Sequence, residues 1–206
     1  MKKLISFLLI FFLFILFIFI KITSYTNQIS TSLKDSIIRL HIISNSNNTK
    51  DQLFKLKCRD EIISYINQNL SNTSSKNEII TFLNNNISNL YSICYSLAEK
   101  EKISTSFNIS IDKSYIPTKQ YGKIQMPSGT YDALKIEIGS SSGNNWWCSL
   151  FPPLCFTEAS SEIKDSSVSE QIIYSSLSSE ETNILLKSEE KLDIKFKFKL
   201  LELFST

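Results

Sequence analysis

Two cysteines and both tryptophans of the chain fall within residues 144–156, which read Asn-Asn-Trp-Trp-Cys-Ser-Leu-Phe-Pro-Pro-Leu-Cys-Phe. A cysteine beside a histidine can act as a nucleophile, and the chain has one histidine, His41. Such a pair needs the thiol of Cys148 about 3 Å from the imidazole, with a third group that orients the ring. No glycine-rich nucleophile signature surrounds Cys148 or Cys155. The sequence therefore predicts no catalytic residue, and a hydrolase that uses Cys148 is kept as the alternative.

The sequence also lacks the patterns of metal, cofactor and nucleic-acid chemistry. One histidine and no Cys-x-x-Cys pair do not supply four ligands for a metal ion. There is no glycine-rich phosphate loop and no His-Glu-x-x-His run. The 22 basic and 20 acidic residues nearly balance, whereas nucleic acid requires a concentrated basic face. We therefore expect a protein that is not an enzyme, with no cofactor, no metal site and no nucleic-acid partner.

The four cysteines raise the question of disulfides, which form in proteins that are exported from the cytoplasm. Cys148 and Cys155 bracket a strand end and a proline turn, and a bond between them would staple that turn. Spacing alone does not place two Cα atoms within the roughly 4.4–6.8 Å that a disulfide needs, so a bonded and an unbonded pair both stay open. Cys58 and Cys94 fall within predicted helices, and we expect them to be small buried apolar residues.

The adjacent tryptophans predict an unusual surface element. Successive side chains of a strand point to opposite faces, so Trp146 and Trp147 cannot both enter one core. At least one ring must face a second layer, a lid or a partner. Prolines fix φ and donate no hydrogen bond, so the strand ends at Pro152 and Pro153 or lies at a sheet edge.

A second aromatic group surrounds Lys119, with Tyr115 and Tyr121 on the same predicted loop. Tyrosine is enriched at the hot spots of protein interfaces, so this loop either packs against the domain or recognises a partner. Together the two groups give the residues that we expect to contact a partner protein: Trp146, Trp147, Phe151, Pro152, Pro153, Tyr115, Lys119 and Tyr121.

The first segment predicts export. Residues 4–20 are Leu, Ile or Phe except for Ser6, and lysines flank them on both sides. A helix of this length nearly spans the hydrocarbon layer of about 30 Å. Residues 1–22 are therefore a cleaved signal peptide or an uncleaved anchor; the apolar stretch is long for a signal, and no Ala-x-Ala cleavage site follows it. The basic start favours a cytoplasmic N-terminus, which places the rest of the chain outside.

The exported part is predicted to be a single domain over residues 37–206, joined to the first segment by a polar linker over residues 23–36. Residues 37–44 are rich in β-branched side chains and predict a strand. Arg39 and His41 face the same side of that strand, and we expect His41 to be half-exposed and paired with Arg39 or solvent.

Two helices follow the first strand. The first begins at Thr49, which can form a capping box with Gln52, and its apolar residues continue at helical spacing to residue 70. The second begins with a capping box of Ser75 and Glu78 and carries a continuous apolar stripe to Leu97.

Alternating side chains then predict strands over residues 107–111, 123–126, 134–138 and 194–200. The tryptophan segment is expected to pair antiparallel with the third of these across a turn at residues 139–143. Residues 115–122 are expected to form a loop, and the Ser- and acid-rich residues 157–182 a solvated connector. The predicted fold is α+β: two N-terminal helices packed on a mostly antiparallel β-sheet, preceded by one hydrophobic signal or anchor helix.

Three blocks of sequence carry a family resemblance. Residues 38–46 read Ile-Arg-Leu-His-Ile-Ile-Ser-Asn-Ser, and residues 117–131 contain Pro-Thr-Lys, Tyr-Gly and Pro-x-Gly-x-Tyr. Residues 145–156 form the third block, Asn-Trp-Trp-Cys-x-Leu-Phe-Pro-Pro-Leu-Cys-Phe. These blocks resemble the stage II sporulation protein R family over roughly residues 37–156, and residues 194–200 resemble its C-terminal strand.

The resemblance implies a signalling role in endospore formation. Members of the family are made in the forespore and exported into the space that faces the mother cell. There they activate a membrane-bound aspartic peptidase in the opposite membrane, which removes the pro-sequence of sigma-E. This implies a ligand for that peptidase, either secreted or anchored by its N-terminal helix. A structural protein of the envelope is a third interpretation.

Overall fold

The computed structural model describes residues 2–70, 75–121, 123–155 and 166–186. The helices in these ranges are α1 (Lys2–Asp35), α2 (Thr49–Asn69), α3 (Lys76–Asn85), α4 (Ile87–Lys100), α5 (Ser166–Ser176) and α6 (Ser179–Leu186). The strands are β1 (Ile38–Ile43), β2 (Phe107–Ile116), β3 (Lys119–Tyr121), β4 (Ile124–Met126), β5 (Gly129–Ile138) and β6 (Asn145–Phe151). The predicted combination of helices, a sheet and one apolar N-terminal helix is present.

Helix α1 is longer than the predicted membrane segment. Its apolar residues 4–20 are exposed, and the helix is long and apolar enough to cross a membrane. It continues through the predicted polar linker to Asp35, so residues 23–35 are helical rather than irregular. The reason is packing, because Leu33 near the end of the helix is fully buried in the domain. The boundaries of the leader and the linker stay predictions.

The main sheet is mixed, with the strand order β2-β5-β1-β6. Strand β1 runs parallel to β5 and antiparallel to β6, and β2 runs antiparallel to β5. The predicted hairpin between residues 134–138 and the tryptophan strand is therefore wrong, since β1 lies between them. Strand β1 is buried along almost its whole length, as a strand covered on both faces must be.

The turn after β5 crosses the end of β1. Gly143 donates a backbone hydrogen bond to the Ser44 oxygen at 3.0 Å. A Cβ at Gly143 would overlap Ser44 and the backbone of Ser46, which explains the glycine. Gly139 has φ +57°, a conformation that favours glycine. These contacts carry the chain past β1 to the sheet edge, where β6 begins.

Helices α2, α3 and α4 cover one face of the sheet. Asn48, not Thr49, caps α2 by accepting from the backbone of Asp51, whereas the predicted capping box of Ser75 and Glu78 is confirmed. The predicted second helix consists of two helices, because the helical conformation is interrupted at Asn86. The two remaining cysteines, Cys58 of α2 and Cys94 of α4, are free and buried, as expected.

The opposite face is covered by a second layer. It consists of the β3–β4 hairpin, the last turns of α1 and the helices α5 and α6, with Leu33, Ile124, Met126, Tyr131, Ile173 and Leu185 buried between them. Two predictions are thereby corrected. Residues 115–122 contain the end of β2 and all of β3, and residues 166–182 of the predicted connector are largely helical. Residues 157–165 and the predicted strand at 194–200 lie outside the described residues.

Candidate functional site

The two tryptophans of β6 lie on opposite faces of the sheet. Trp146 is in register with Ile42 and lies on the helical side, where the Arg59 guanidinium is 4.4 Å from a ring centroid. Trp147 is in register with His41 and stacks on its ring, with centroids 5.6 Å apart. Each ring therefore faces a different layer, as the alternation of side chains along a strand requires.

Lys119 lies over Trp147 on the hairpin side. Its Nζ atom is 4.5 Å from a ring centroid of Trp147, within the range of a cation–π interaction. Residues 118–121 and residues 145–147 together line a groove of about 420 Å³. We call this the tryptophan groove. Its walls belong to two of the sequence blocks that carried the family resemblance.

His41 fixes the position of Trp147. It is buried, its Nδ1 atom is 2.8 Å from the Ser114 hydroxyl, and its Nε2 atom is 2.8 Å from Asn145 Oδ1. Because the amide oxygen only accepts, Nε2 donates to Asn145 and Nδ1 accepts from Ser114. Burial lowers the pKa of His41, and this effect outweighs the bond to Asn145. The expectation of a half-exposed histidine paired with Arg39 or solvent is wrong.

Arg39 is fully buried beneath the hairpin. Its Nε donates to the Cys148 carbonyl oxygen at 3.0 Å, and its Nη2 donates to the Tyr121 hydroxyl at 2.9 Å. The guanidinium carbon also lies 5.7 Å and 5.4 Å from the ring centroids of Tyr121 and Tyr131. Arg39 thus ties the hairpin to β6, and Tyr121 is an interior residue that supports the groove.

Cys148 and Cys155 are joined in a disulfide, with their Cα atoms 5.2 Å apart. Both residues are buried. Cys148 is in register with Leu40 and lies on the helical face, whereas His41 lies on the other face. The two side chains therefore do not form the nucleophile and base that a Cys148 hydrolase requires.

The other residues that we expected to contact a partner differ in burial and in position on the domain. Phe151 and Pro153 are partly exposed, and Pro152 is buried beneath the strand end. Tyr115 is 67% exposed on β2, at the sheet edge opposite β6, and it does not line the groove. The structure therefore brings Lys119 and Tyr121 to the tryptophan pair and leaves Tyr115 apart.

Sequence reasoning missed several parts of the site. No signal in the sequence connects Arg59 with Trp146, since nothing in the spacing of Arg59 shows which strand its helix covers. Ser114 and Asn145 orient His41, and both are small polar residues without a local signature. The alternation within β1 did place Arg39 and His41 on one face, which was the available signal for a polar second layer.

Comparison with known proteins points to the same blocks. A family model described as Stage II sporulation protein R (spore_II_R) matches residues 34–161, which is more than half of the chain. The chain belongs to the stage II sporulation protein R family. The stage II sporulation protein R of Bacillus subtilis (strain 168) is 35% identical over 128 residues, which cover 62% of this chain and 57% of that protein. No solved structure gives a significant match.

The matched span contains the whole tryptophan groove and the disulfide. It begins near the end of α1, so the apolar part of α1 and the helices α5 and α6 lie outside it. Family membership associates the chain with sporulation.

Proposed function

We propose that this protein is an exported signal of endospore formation that activates a membrane-bound aspartic peptidase, which then processes pro-sigma-E. Membership of the stage II sporulation protein R family carries this proposal. The apolar helix α1 supports delivery to or across a membrane. The separation of Cys148 and His41 on opposite faces favours a ligand over a cysteine hydrolase.

The proposed contact surface centres on the tryptophan groove. Trp146, Trp147 and Lys119 are partly exposed there, and Phe151 continues the surface along β6. Aromatic side chains held by their neighbours lose little conformational freedom on binding, which is the property of interface anchors. Tyr121 and Pro152 are buried, so they act by supporting this surface.

The mechanism that we propose is a shift of populations in the peptidase. A ligand moves a receptor toward its active arrangement only to the extent that it binds this arrangement more tightly. A 100-fold preference would contribute about 2.7 kcal/mol. The signal itself needs no catalytic group, because the receptor performs the cleavage.

The decisive experiment is an assay of pro-sigma-E processing in a sporulating strain that lacks this protein. We expect the precursor to accumulate and processing to return when the full chain is supplied. Normal sigma-E maturation in the deletion strain would reject the proposal and favour a structural role in the envelope.

Replacing Trp147 with Ala tests the contact surface. We expect a folded variant that restores processing at least about tenfold less well, since an interface anchor contributes about 1.4 kcal/mol or more. The matched control is Tyr174→Ala, which removes an exposed aromatic ring on α5 outside the groove. Far-UV circular dichroism on heating checks the fold. A folded Trp147→Ala chain that supports normal processing would show that the contact lies elsewhere.

A further inference from the structure

The tryptophan groove has a distinctive polar composition. Seven residues line it, and none of them is acidic. The only charged side chain among them is that of Lys119, and no carboxylate in the described part of the chain forms an ion pair with it. The groove therefore offers a positive charge with no described counter-charge.

The neighbouring carboxylates are already engaged. Glu137 interacts electrostatically with His41, but it is held by Lys135 at 2.6 Å and by the Asn108 amide at 2.8 Å. Asp60 is paired with Arg59, the residue over Trp146. Neither carboxylate neutralises Lys119, so within the described ranges the charge of the groove is not taken up by an acidic side chain.

The aromatic walls are also fixed before any ligand arrives. Trp147 stacks on His41, whose two ring nitrogens are bound by Ser114 and Asn145. Rigid walls reduce the ordering cost of binding. Rings of this kind cover an apolar or aromatic side chain, while Lys119 attracts an anion beside it.

We propose that the tryptophan groove binds a segment of a partner protein in which an Asp or Glu carboxylate lies next to an apolar side chain. The carboxylate pairs with Lys119, and the apolar neighbour lies against the ring of Trp147, which is on the same side of the sheet as Lys119. This inference rests on the proposed function for the identity of the partner, the membrane-bound peptidase, whereas the chemistry of the groove follows from its own residues.

Intrinsic fluorescence tests the inference directly, because the two tryptophans of the chain both line the groove. The full chain in neutral detergent micelles is titrated with the peptide acetyl-Glu-Phe-Glu-Phe-amide and with its Gln counterpart. We expect a saturable change with the acidic peptide and about tenfold weaker binding of the neutral one. Added salt should weaken the acidic peptide alone. No change, or equal binding of the two peptides, overturns the inference.

Two lysine variants assign the effect to the groove. Lys119→Gln should lose about tenfold in affinity for the acidic peptide and nothing for the neutral one. Lys50→Gln, which removes an exposed lysine at the start of α2, should bind like the unmodified chain. Thermal unfolding confirms that both variants are folded. An equal loss in the two variants would indicate general charge attraction and overturn the inference.

Two further controls separate other occupants. Phosphatidylglycerol added to the micelles that displaces the bound peptide at the same Lys119 would make the ligand a lipid phosphate and overturn the inference. A fluorescence change that depends on protein concentration without peptide would make the occupant a second copy and overturn it as well. Peptide binding is read independently of sigma-E processing, so a failure here is distinct from a failure of the proposed function.

Discussion

Arg39 and His41 place two basic side chains beneath the hairpin layer, and both are held by groups from distant parts of the chain. Arg39 binds the backbone of β6 and the hydroxyl of Tyr121. His41 joins Ser114 of β2 to Asn145 of β6. Burying such polar groups costs free energy unless their hydrogen bonds are made. These bonds form only when the hairpin and β6 lie where they do, so the two residues help to fix that arrangement.

The buried neutral His41 predicts a pH-dependent stability. Because its pKa in the folded state lies below the ordinary value of 6.5, the unfolded chain binds more protons over that interval. The free energy of unfolding should therefore fall as pH drops below 6.5 toward the lowered pKa. Denaturant unfolding of the full chain in micelles between about pH 5 and 7 measures this.

The matched variant is His41→Gln, which keeps a polar side chain but does not titrate. Its free energy of unfolding should change much less over the same interval. The chain has no other histidine, and the pKa values of Asp132, Glu137 and Glu181 are lowered, so their titration falls at lower pH. Parallel pH profiles of the two chains would contradict this account.

At the scale of elements, the end of β6 is closed by the disulfide. The bond joins residues seven positions apart, across Phe151 and the two prolines. Replacing both cysteines with Ser should lower the free energy of unfolding by about 2–3 kcal/mol, mainly because the unfolded chain regains freedom in this loop. Denaturant unfolding with and without dithiothreitol measures the effect.

Reduced wild-type protein is the control, and it should be as stable as the Ser variant, which should not respond to dithiothreitol. We also expect the folded double variant to support pro-sigma-E processing below its melting temperature. Complete loss of processing with an intact fold would revive the Cys148 hydrolase.

The Glu181 carboxylate of α6 forms hydrogen bonds to residues at the end of α1. Glu181 is buried and accepts hydrogen bonds from the hydroxyls of Ser32 at 2.9 Å and Ser36 at 2.8 Å. It also accepts from the backbone and the hydroxyl of Ser178. Burial raises the pKa of Glu181, but the hydrogen bonds from Ser178, Ser36 and Ser32 lower it by more. The pKa therefore lies below its ordinary value.

Replacing Glu181 with Gln should loosen this contact by about 1–2 kcal/mol, since hydrogen bonds to a charged acceptor are lost. Amide hydrogen exchange in α6 should become faster, and α2 should be unaffected. Glu180→Gln is the matched control, because Glu180 is exposed on the same helix. The effect should vanish as pH falls through the lowered pKa of Glu181. Unchanged exchange in α6 would show that the contact contributes nothing.

For the whole molecule, the sequence predicts local structure better than arrangement. The capping box at Ser75 and the alternation in residues 107–111 and 134–138 are local signals, and the corresponding elements are present. The position of β1 between β5 and β6 depends on pairing across about 100 residues, which no local pattern encodes. His41 was expected to be half-exposed because the layer that covers it and Arg39 comes from residues 119–126 and later helices.

The same limit applies to the site. The adjacent tryptophans predicted that at least one ring faces a second layer, a lid or a partner, because side chains alternate along a strand. The partners of the rings came from α2 and β3, and their approach depends on how those elements pack. Sequence could therefore identify Trp146, Trp147 and Lys119 as candidates, but it could not separate them from Tyr115 or show that Tyr121 is buried.

The continuous helix α1 connects the apolar segment rigidly to the domain. A helix of 34 residues extends about 50 Å, and its final turns are part of the folded core through Leu33. With the apolar end of α1 held in a bilayer, a continuous helix would restrict how the domain is tilted and rotated relative to the membrane. A flexible linker would allow many such orientations. Under the proposed function, the groove would then meet the facing membrane from a restricted set of directions. Much of the orientational freedom that binding would otherwise remove would then already be lost when the chain folds, before a receptor is bound.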